Sequence, residues 1–132
     1  MQLLLDKWTV LIVDDHYDNV MIAQTMLEYH GATVRIANDG EGGLALLRET
    51  VPTIILLDLS MPVMNGWDML KQIRKMPQLA HVPVIAVTAH AMDGDKAKVL
   101  DAGFDEYVSK PYNVEQLIST METTLQHKQT GR

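Results

Sequence analysis

The chain contains no cysteine. Disulfides and thiolate metal sites are therefore excluded, and a reducing compartment fits. It also lacks an excess of basic charge, with 11 Lys and Arg against 17 Asp and Glu and a formal net charge of -6. Domains that bind phosphate backbones usually carry a basic face, which argues against nucleic-acid binding. No apolar run approaches membrane-spanning length. The opening "MQLLLDKW" has only three consecutive leucines, and its lysine follows them, an order too short and wrongly arranged for a signal peptide. The expectation is a soluble, cytoplasmic protein with no membrane association. Internal repeats, low-complexity tracts and linkers are missing as well.

What is present is the composition of an ordered globular protein: 132 residues, 47% of them apolar and 21% charged. That length suits one domain over residues 1–132, with a core from about residue 8 to 126 and a short N-terminal extension. Gln126–Arg132 reads as a polar tail that frays, and no covalently attached output domain is expected.

Short apolar runs alternate with amphipathic segments. "TVLIV" (Thr9–Val13), "TVRIA" (Thr33–Ala37), "TIILL" (Thr53–Leu57), "VPVIAV" (Val82–Val87) and "EYVS" (Glu106–Ser109) read as five strands. The third and fourth are apolar almost throughout, as strands covered on both faces are. The second alternates, with Val34 and Ile36 on one face, and suits a position nearer the sheet edge. Between them run helical stripes: Val20, Ala23, Met26 and Leu27, closed by Gly31; Leu44 and Leu47, opening on "NDGEGG"; and Met69, Leu70 and Ile73 behind Gly66, with Asn65 as N-cap. A fourth holds Met92, Val99 and Leu100, broken by Gly94 and ended by Gly103, and a fifth runs Val114, Leu117, Ile118, Met121 and Leu125 behind Asn113. Strand and helix alternating five times imply right-handed crossovers, a parallel sheet and helices on both of its faces.

In such a sheet the strand C-termini share one edge, where ligands bind at the switch point of chain order. Asp14 and Asp15 follow strand one, Asp58 follows strand three, Thr88 ends strand four and Lys110 follows strand five. Carboxylates about 4 Å apart at an effective dielectric near 20 repel by roughly 4 kcal/mol a pair, against a net stability of about 5–15 kcal/mol for a domain. A cation must sit among them, and hard oxygen ligands favour Mg²⁺. An acidic trio, a hydroxyl, a lysine and a divalent ion suit phosphoryl transfer, with an aspartate as nucleophile. Each residue has a plainer reading: Asp14 or Asp15 as a helix cap, Asp58 as a turn residue, Thr88 as an ordinary strand residue, Lys110–Pro111 as a solvated turn. Their coincidence at one rim favours the functional one.

"LIVDDHYDN", "LLDLSMPVMNG", "VIAVTAHA" and "AGFDEYVSKPYNVEQL" together resemble the receiver domain of two-component response regulators, over nearly the whole chain. The resemblance implies a flavodoxin-like α/β fold, a (βα)5 three-layer sandwich with a five-stranded parallel sheet in the order 2-1-3-4-5. It implies Asp58 as phosphoacceptor, Asp15 bound directly to Mg²⁺ (or Mn²⁺), Asp14 bound largely through water, and the Ser60 carbonyl as a further ligand. Thr88 and Lys110 are expected to bind phosphoryl oxygens, the Lys110–Pro111 bond to be cis, and Tyr107 to be the aromatic switch residue.

The phosphodonor would be a partner histidine kinase or histidine phosphotransfer protein, with an unknown downstream protein reading the face of helix four, strand five and helix five. Beyond its own aspartyl phosphorylation and dephosphorylation, no enzymatic turnover is expected.

Ser60 and His90, two residues beyond Asp58 and Thr88, flank the expected path of attacking water and are candidates for tuning phosphoryl lifetime; a solvated loop histidine is the alternative for His90. His16 invites a metal-ligand reading beside Asp15, but with no second His at ligand spacing it reads instead as starting a helix and facing away from the rim. Met61, Met64 and Met69 read as core filling, and Trp67 as lying on the exposed flank of its helix. Two enzymes or binders compete: an aspartate-nucleophile phosphatase of the haloacid dehalogenase type, which has an aspartate where Ser60 stands, and a flavodoxin-like cofactor binder, which needs a hydroxyl- and glycine-rich loop where "DDHYDN" stands. A pseudo-receiver that only scaffolds is the third rival, opposed by the complete acidic, Thr and Lys set.

Overall fold

The structure is a computed structural model and describes residues 5–89 and 95–129. Its elements run β1 (Thr9–Val13), α1 (Tyr17–Tyr29), β2 (Thr33–Ala37), α2 (Gly40–Glu49), β3 (Ile54–Asp58), α3 (Gly66–Ile73), a 3-10 turn (Pro77–Leu79), β4 (Val84–Thr88), α4 (Asp95–Ala102), β5 (Glu106–Ser109) and α5 (Val114–Gln129). All strand pairs are parallel and the sheet order is β2-β1-β3-β4-β5. The flavodoxin-like order expected from the resemblance is therefore the observed one.

Every residue of β3 and β4 is buried, because each lies between two other strands with helices above and below. β2 pairs on one side only and alternates exposed Thr33 and Arg35 with buried Val34 and half-buried Ile36. The period of two along β1 splits the core. Leu11 and Val13 pack with Leu44, Leu47, Met69, Ile73 and Val99 on the face of α2, α3 and α4. Val10 and Ile12 pack with Val20, Ala23, Leu27, Leu117, Ile118 and Met121 on the face of α1 and α5. Each large aliphatic side chain buried in this way contributes about 1.5–3 kcal/mol relative to exposure.

Local chemistry sets the helix ends. Asp39 caps α2 by accepting from the Gly42 N–H at 2.7 Å, Asn65 caps α3 through Asp68 at 2.9 Å, and Asn113 accepts from Gln116 at 3.2 Å. Gly31 follows α1 at φ +104 and Gly103 follows α4 at φ +112, both in the left-handed region that glycine enters without strain. At Gly66 a Cβ would collide with the Asp58 carbonyl oxygen, so a residue without a side chain lets α3 begin directly against the end of β3.

Several expectations need correction. The chain does not wait until residue 8 to enter the core: Leu5 is 1% exposed, and its N–H donates to the His30 carbonyl at 2.7 Å. The polar residues after Leu125 continue α5 through Gln129, and Lys128 pairs with Asp105 at 2.8 Å, so 126–129 is helix and not a frayed tail. β4 begins at Val84 because the Val82 N–H turns back to the Leu79 carbonyl, while β3 extends to include Asp58, whose register partner is Val87. Met26 and Leu100 lie on helix flanks and are exposed. Trp67 is half-buried, with its ring edge-on to Phe104 at 5.7 Å. Met61 and Met69 fill the core as expected. The placements expected for His90, Met92 and Gly94 fall outside the described residues.

Candidate functional site

β1 and β3 are hydrogen-bonded neighbours with Val13 opposite Leu57, which brings the chain after β1 beside the end of β3. The Asp14 N–H donates to the Ala37 carbonyl and the Leu59 N–H to Val87, so the backbone on both sides of the rim is held by the sheet. β4 and β5 end in register, Thr88 opposite Ser109, and the Lys110 N–H donates to the Thr88 carbonyl at 2.7 Å. Four strand ends thus deliver Asp14, Asp15, Asp58, Thr88 and Lys110 to one edge.

The side chains converge as their backbones do. Lys110 Nζ lies 2.8 Å from Asp14 Oδ2 and 3.8 Å from Asp58 Oδ2. One ligand atom each from Asp14, Asp15, His16 and Asp58 fall within 4.8 Å of one another. Asp58 is 1% exposed and Asp14 5%, while the Asp15 side chain is 30% exposed at the outer lip. Neither Asp14 nor Asp15 caps α1: the cap position is His16, and Asp14 Oδ1 instead accepts from the His16 N–H at 2.8 Å.

Asp58 Oδ1 accepts from the Ser60 N–H at 3.1 Å. Its Oδ2 is buried without a hydrogen-bond partner, the one such side-chain atom among the described residues. Burial pushes the Asp58 carboxyl up from its ordinary 3.8 to about 6; Asp14 adds to the rise, while the Ser60 N–H, Lys110 and His16 oppose it. A buried anionic oxygen with an open valence, beside two more carboxylates and one lysine, fits a divalent cation with hard oxygen ligands.

His16 does not face away. As the N-cap it has extended torsions, φ -97 and ψ 91, so its side chain does not follow the helical wheel of α1. Nδ1 comes 3.0 Å from Asp14 Oδ1, 3.1 Å from Asp15 Oδ1 and 3.3 Å from Asp58 Oδ2. The signal for this was its place directly after the acidic pair, outweighed in a sequence reading by the assumption of helical direction.

The remaining expected residues are placed as follows. Thr88 is buried at the end of β4. Ser60 is exposed in the loop after β3, and the Lys110–Pro111 peptide is cis. Tyr107 is half-buried against the core on the side of α2, α3 and α4. Tyr112, packed against the opposite face, has its hydroxyl pushed up to about 12 by burial and by the charge of Asp14. A cleft of about 380 Å³ opens beside the acids, lined by His16, Asn19, Ala89, Lys110 and Pro111.

A doubly wound parallel sheet with an acidic rim at its switch point defines a flavodoxin-like α/β protein of the kind that carries its chemistry at strand C-termini. Within that class the chain belongs to the response regulator receiver domain family, whose profile matches residues 10–122. It is similar to the polar-differentiation response regulator DivK of Brucella anthropi, 37% identical over 118 residues, spanning 89% of this chain and 95% of that protein. It is also similar to hybrid signal transduction histidine kinase I of Dictyostelium discoideum, 37% identical over 88% of this chain but only 7% of that protein. Among solved structures, a CheY-like response regulator receiver domain protein from Methanospirillum hungatei superposes with a TM-score of 0.84 at 28% identity, covering 95% of this chain and 98% of that one. The chain is a receiver domain of two-component signalling. No helix among the described residues is long and apolar enough to cross a membrane.

Proposed function

We propose that the chain accepts a phosphoryl group on Asp58 from a phosphohistidine of a partner kinase or phosphotransfer protein, and that this modification changes the surface of α4, β5 and α5 that a downstream protein reads. The observation that supports the reading best is the Asp58 carboxylate itself, fully buried at a rim and left with one oxygen unpartnered among cations and acids.

The residues divide the work. A carboxylate oxygen of Asp58 attacks phosphorus; the O–P bond forms as the P–N bond breaks, and the electron pair leaves with the donor's imidazole. The Ser60 N–H fixes the plane of the attacking carboxylate. At neutral pH Asp58 is mostly ionised, as a nucleophile must be, even with its pKa raised to about 6. Asp14, Asp15, Asp58 and the Ser60 carbonyl would hold Mg²⁺ (or Mn²⁺), which when bound supplies positive charge for the transferring oxygens. Lys110, with its side chain 6% exposed, supplies a fixed cation for a second phosphoryl oxygen, and the Thr88 hydroxyl donates to a third.

An aspartyl phosphate adds about one negative charge and new acceptor oxygens. These draw the Thr88 hydroxyl toward them and clear space for the half-buried Tyr107 ring, two residues before the end of β5. Ser60, exposed two residues beyond Asp58, flanks the path of attacking water and sets how long the phosphoryl group lasts. The only reactions catalysed are the chain's own phosphorylation and its reversal, and the setting is the cytoplasm, where the phosphodonor acts. Intact-mass spectrometry after treatment with acetyl phosphate and Mg²⁺ tests the reading. One added phosphoryl group per chain is expected, none in Asp58→Ala; stoichiometric labelling of Asp58→Ala would refute the assignment.

A further inference from the structure

The imidazole of His16 is used by nothing in the mechanism above, yet it sits in the middle of the rim. Nδ1 makes four close approaches: 3.0, 3.1 and 3.3 Å to one carboxylate oxygen from each acid of the trio, and 3.3 Å to Lys110 Nζ, the cation that an ion bound there would displace from it. For bonds of about 2.1 Å, adjacent ligand atoms stand about 3.0 Å apart around an octahedral ion and about 3.4 Å around a tetrahedral one. The three carboxylate separations fall in that interval. A second observation points to a ligand in the same space: Asp58 Oδ2, buried and unpartnered, is the atom His16 faces at 3.3 Å. The backbone fixes the imidazole from behind, because the N-cap torsions turn it to the rim and Asp14 Oδ1 accepts the His16 N–H.

We propose that His16 is a fourth protein ligand of the rim cation, giving an N,O donor set that favours Mn²⁺ and Co²⁺ over Mg²⁺; this rests on the reading that Asp14, Asp15 and Asp58 hold a divalent ion. The physical reason is ligand character. Carboxylates and carbonyls suit Mg²⁺, whereas imidazole nitrogen adds affinity for later divalent metals and little for an ion that keeps its waters. The half-exposed imidazole, 52% accessible, lies on the path of an ion entering from solvent, while Asp58 lies beneath it at 1%.

The test uses the full chain with Mn²⁺ alone as probe. Pulsed electron paramagnetic resonance of the Mn²⁺ protein is expected to show nitrogen modulation from a coordinated imidazole, lost in His16→Asn, whose side chain is well tolerated at an N-cap. Calorimetric titrations are expected to show His16→Asn weakening Mn²⁺ and Co²⁺ about tenfold or more, the scale on which metal sites respond to altered coordination, with Mg²⁺ changed about threefold or less.

Mn²⁺ bound to the wild-type rim without nitrogen modulation would overturn the proposal and leave the carboxylate site intact. Tighter binding of every metal by His16→Asn would also overturn it, by making the imidazole a competitor. Asp15→Asn separates the two levels. If neither wild type nor this variant binds Mn²⁺, or both bind it equally, the carboxylate site itself fails and the proposal with it.

Discussion

Replacing Asp58 with asparagine should stabilise the metal-free protein, and the gain should depend on pH. The carboxyl rises from 3.8 in the unfolded chain to about 6 in the folded one, chiefly because it is buried. The folded state therefore binds the proton more tightly than the unfolded state. The stabilisation linked to that proton is full below about pH 4 and is lost as pH rises through about 6. At 1.36 kcal/mol per pKa unit, the loss is about 3 kcal/mol by pH 7.5, a large part of the roughly 5–15 kcal/mol that holds a domain folded. The asparagine side chain has the same shape as the aspartate and does not titrate.

Urea unfolding in the presence of a chelator should give nearly equal midpoints for the two proteins at pH 4. At pH 7.5 Asp58→Asn should lead by about 1–2 M, for a slope near 2 kcal/mol per M. Saturating Mg²⁺ should close much of the gap, since a ligand at about 100 times its Kd stabilises by roughly 2.7 kcal/mol, and the variant has lost one carboxylate. A gap that stays flat from pH 4 to 7.5, or a variant less stable at pH 7.5, would refute the reasoning.

Lys110→Ala should weaken the phosphorylation-dependent change at α4, β5 and α5 more than it weakens metal binding, because Lys110 is a cation beside the acids and not a ligand; Mg²⁺ titration compared with the spectroscopic response to acetyl phosphate separates the two. Asp105→Ala should cost about 2–3 kcal/mol in chemical denaturation, since Asp105 accepts from Arg74 at 3.0 Å, Lys128 at 2.8 Å and the Val84 N–H at 2.8 Å. An unchanged midpoint would show that these three bonds contribute nothing net. Gly66→Ala should destabilise by about 1–3 kcal/mol and slow labelling by acetyl phosphate, because the added methyl presses on the Asp58 carbonyl; normal stability and rate would contradict the close approach.

The order and type of the elements were legible because the apolar runs of β3 and β4 and the 3.6-residue stripes of α3 and α5 are unambiguous. So was the meeting of Asp14, Asp15, Asp58, Thr88 and Lys110, since parallel topology sends every strand C-terminus to one edge. What escaped was set by single local torsions or by distant partners. His16 points to the rim because a cap residue is not helical, a distinction no periodicity carries. Leu5 is core because its N–H finds His30 across the chain. Residues 126–129 are helix because Lys128 finds Asp105, which their polar composition conceals. Asp105 likewise takes its three partners from distant places, the residue that caps the C-terminus of α3, the start of β4 and the end of α5, and nothing in its neighbours along the chain announces them.

Mapping the acyl phosphate to a residue is the most direct test of the central claim. The protein is treated with acetyl phosphate and Mg²⁺ and reduced with borohydride, which converts an aspartyl phosphate to homoserine, and its peptides are sequenced by mass spectrometry. Homoserine at position 58 alone is expected. Homoserine at position 14 or 15, or none anywhere in a protein that binds Mg²⁺, would contradict the claim that the buried rim carboxylate is the nucleophile.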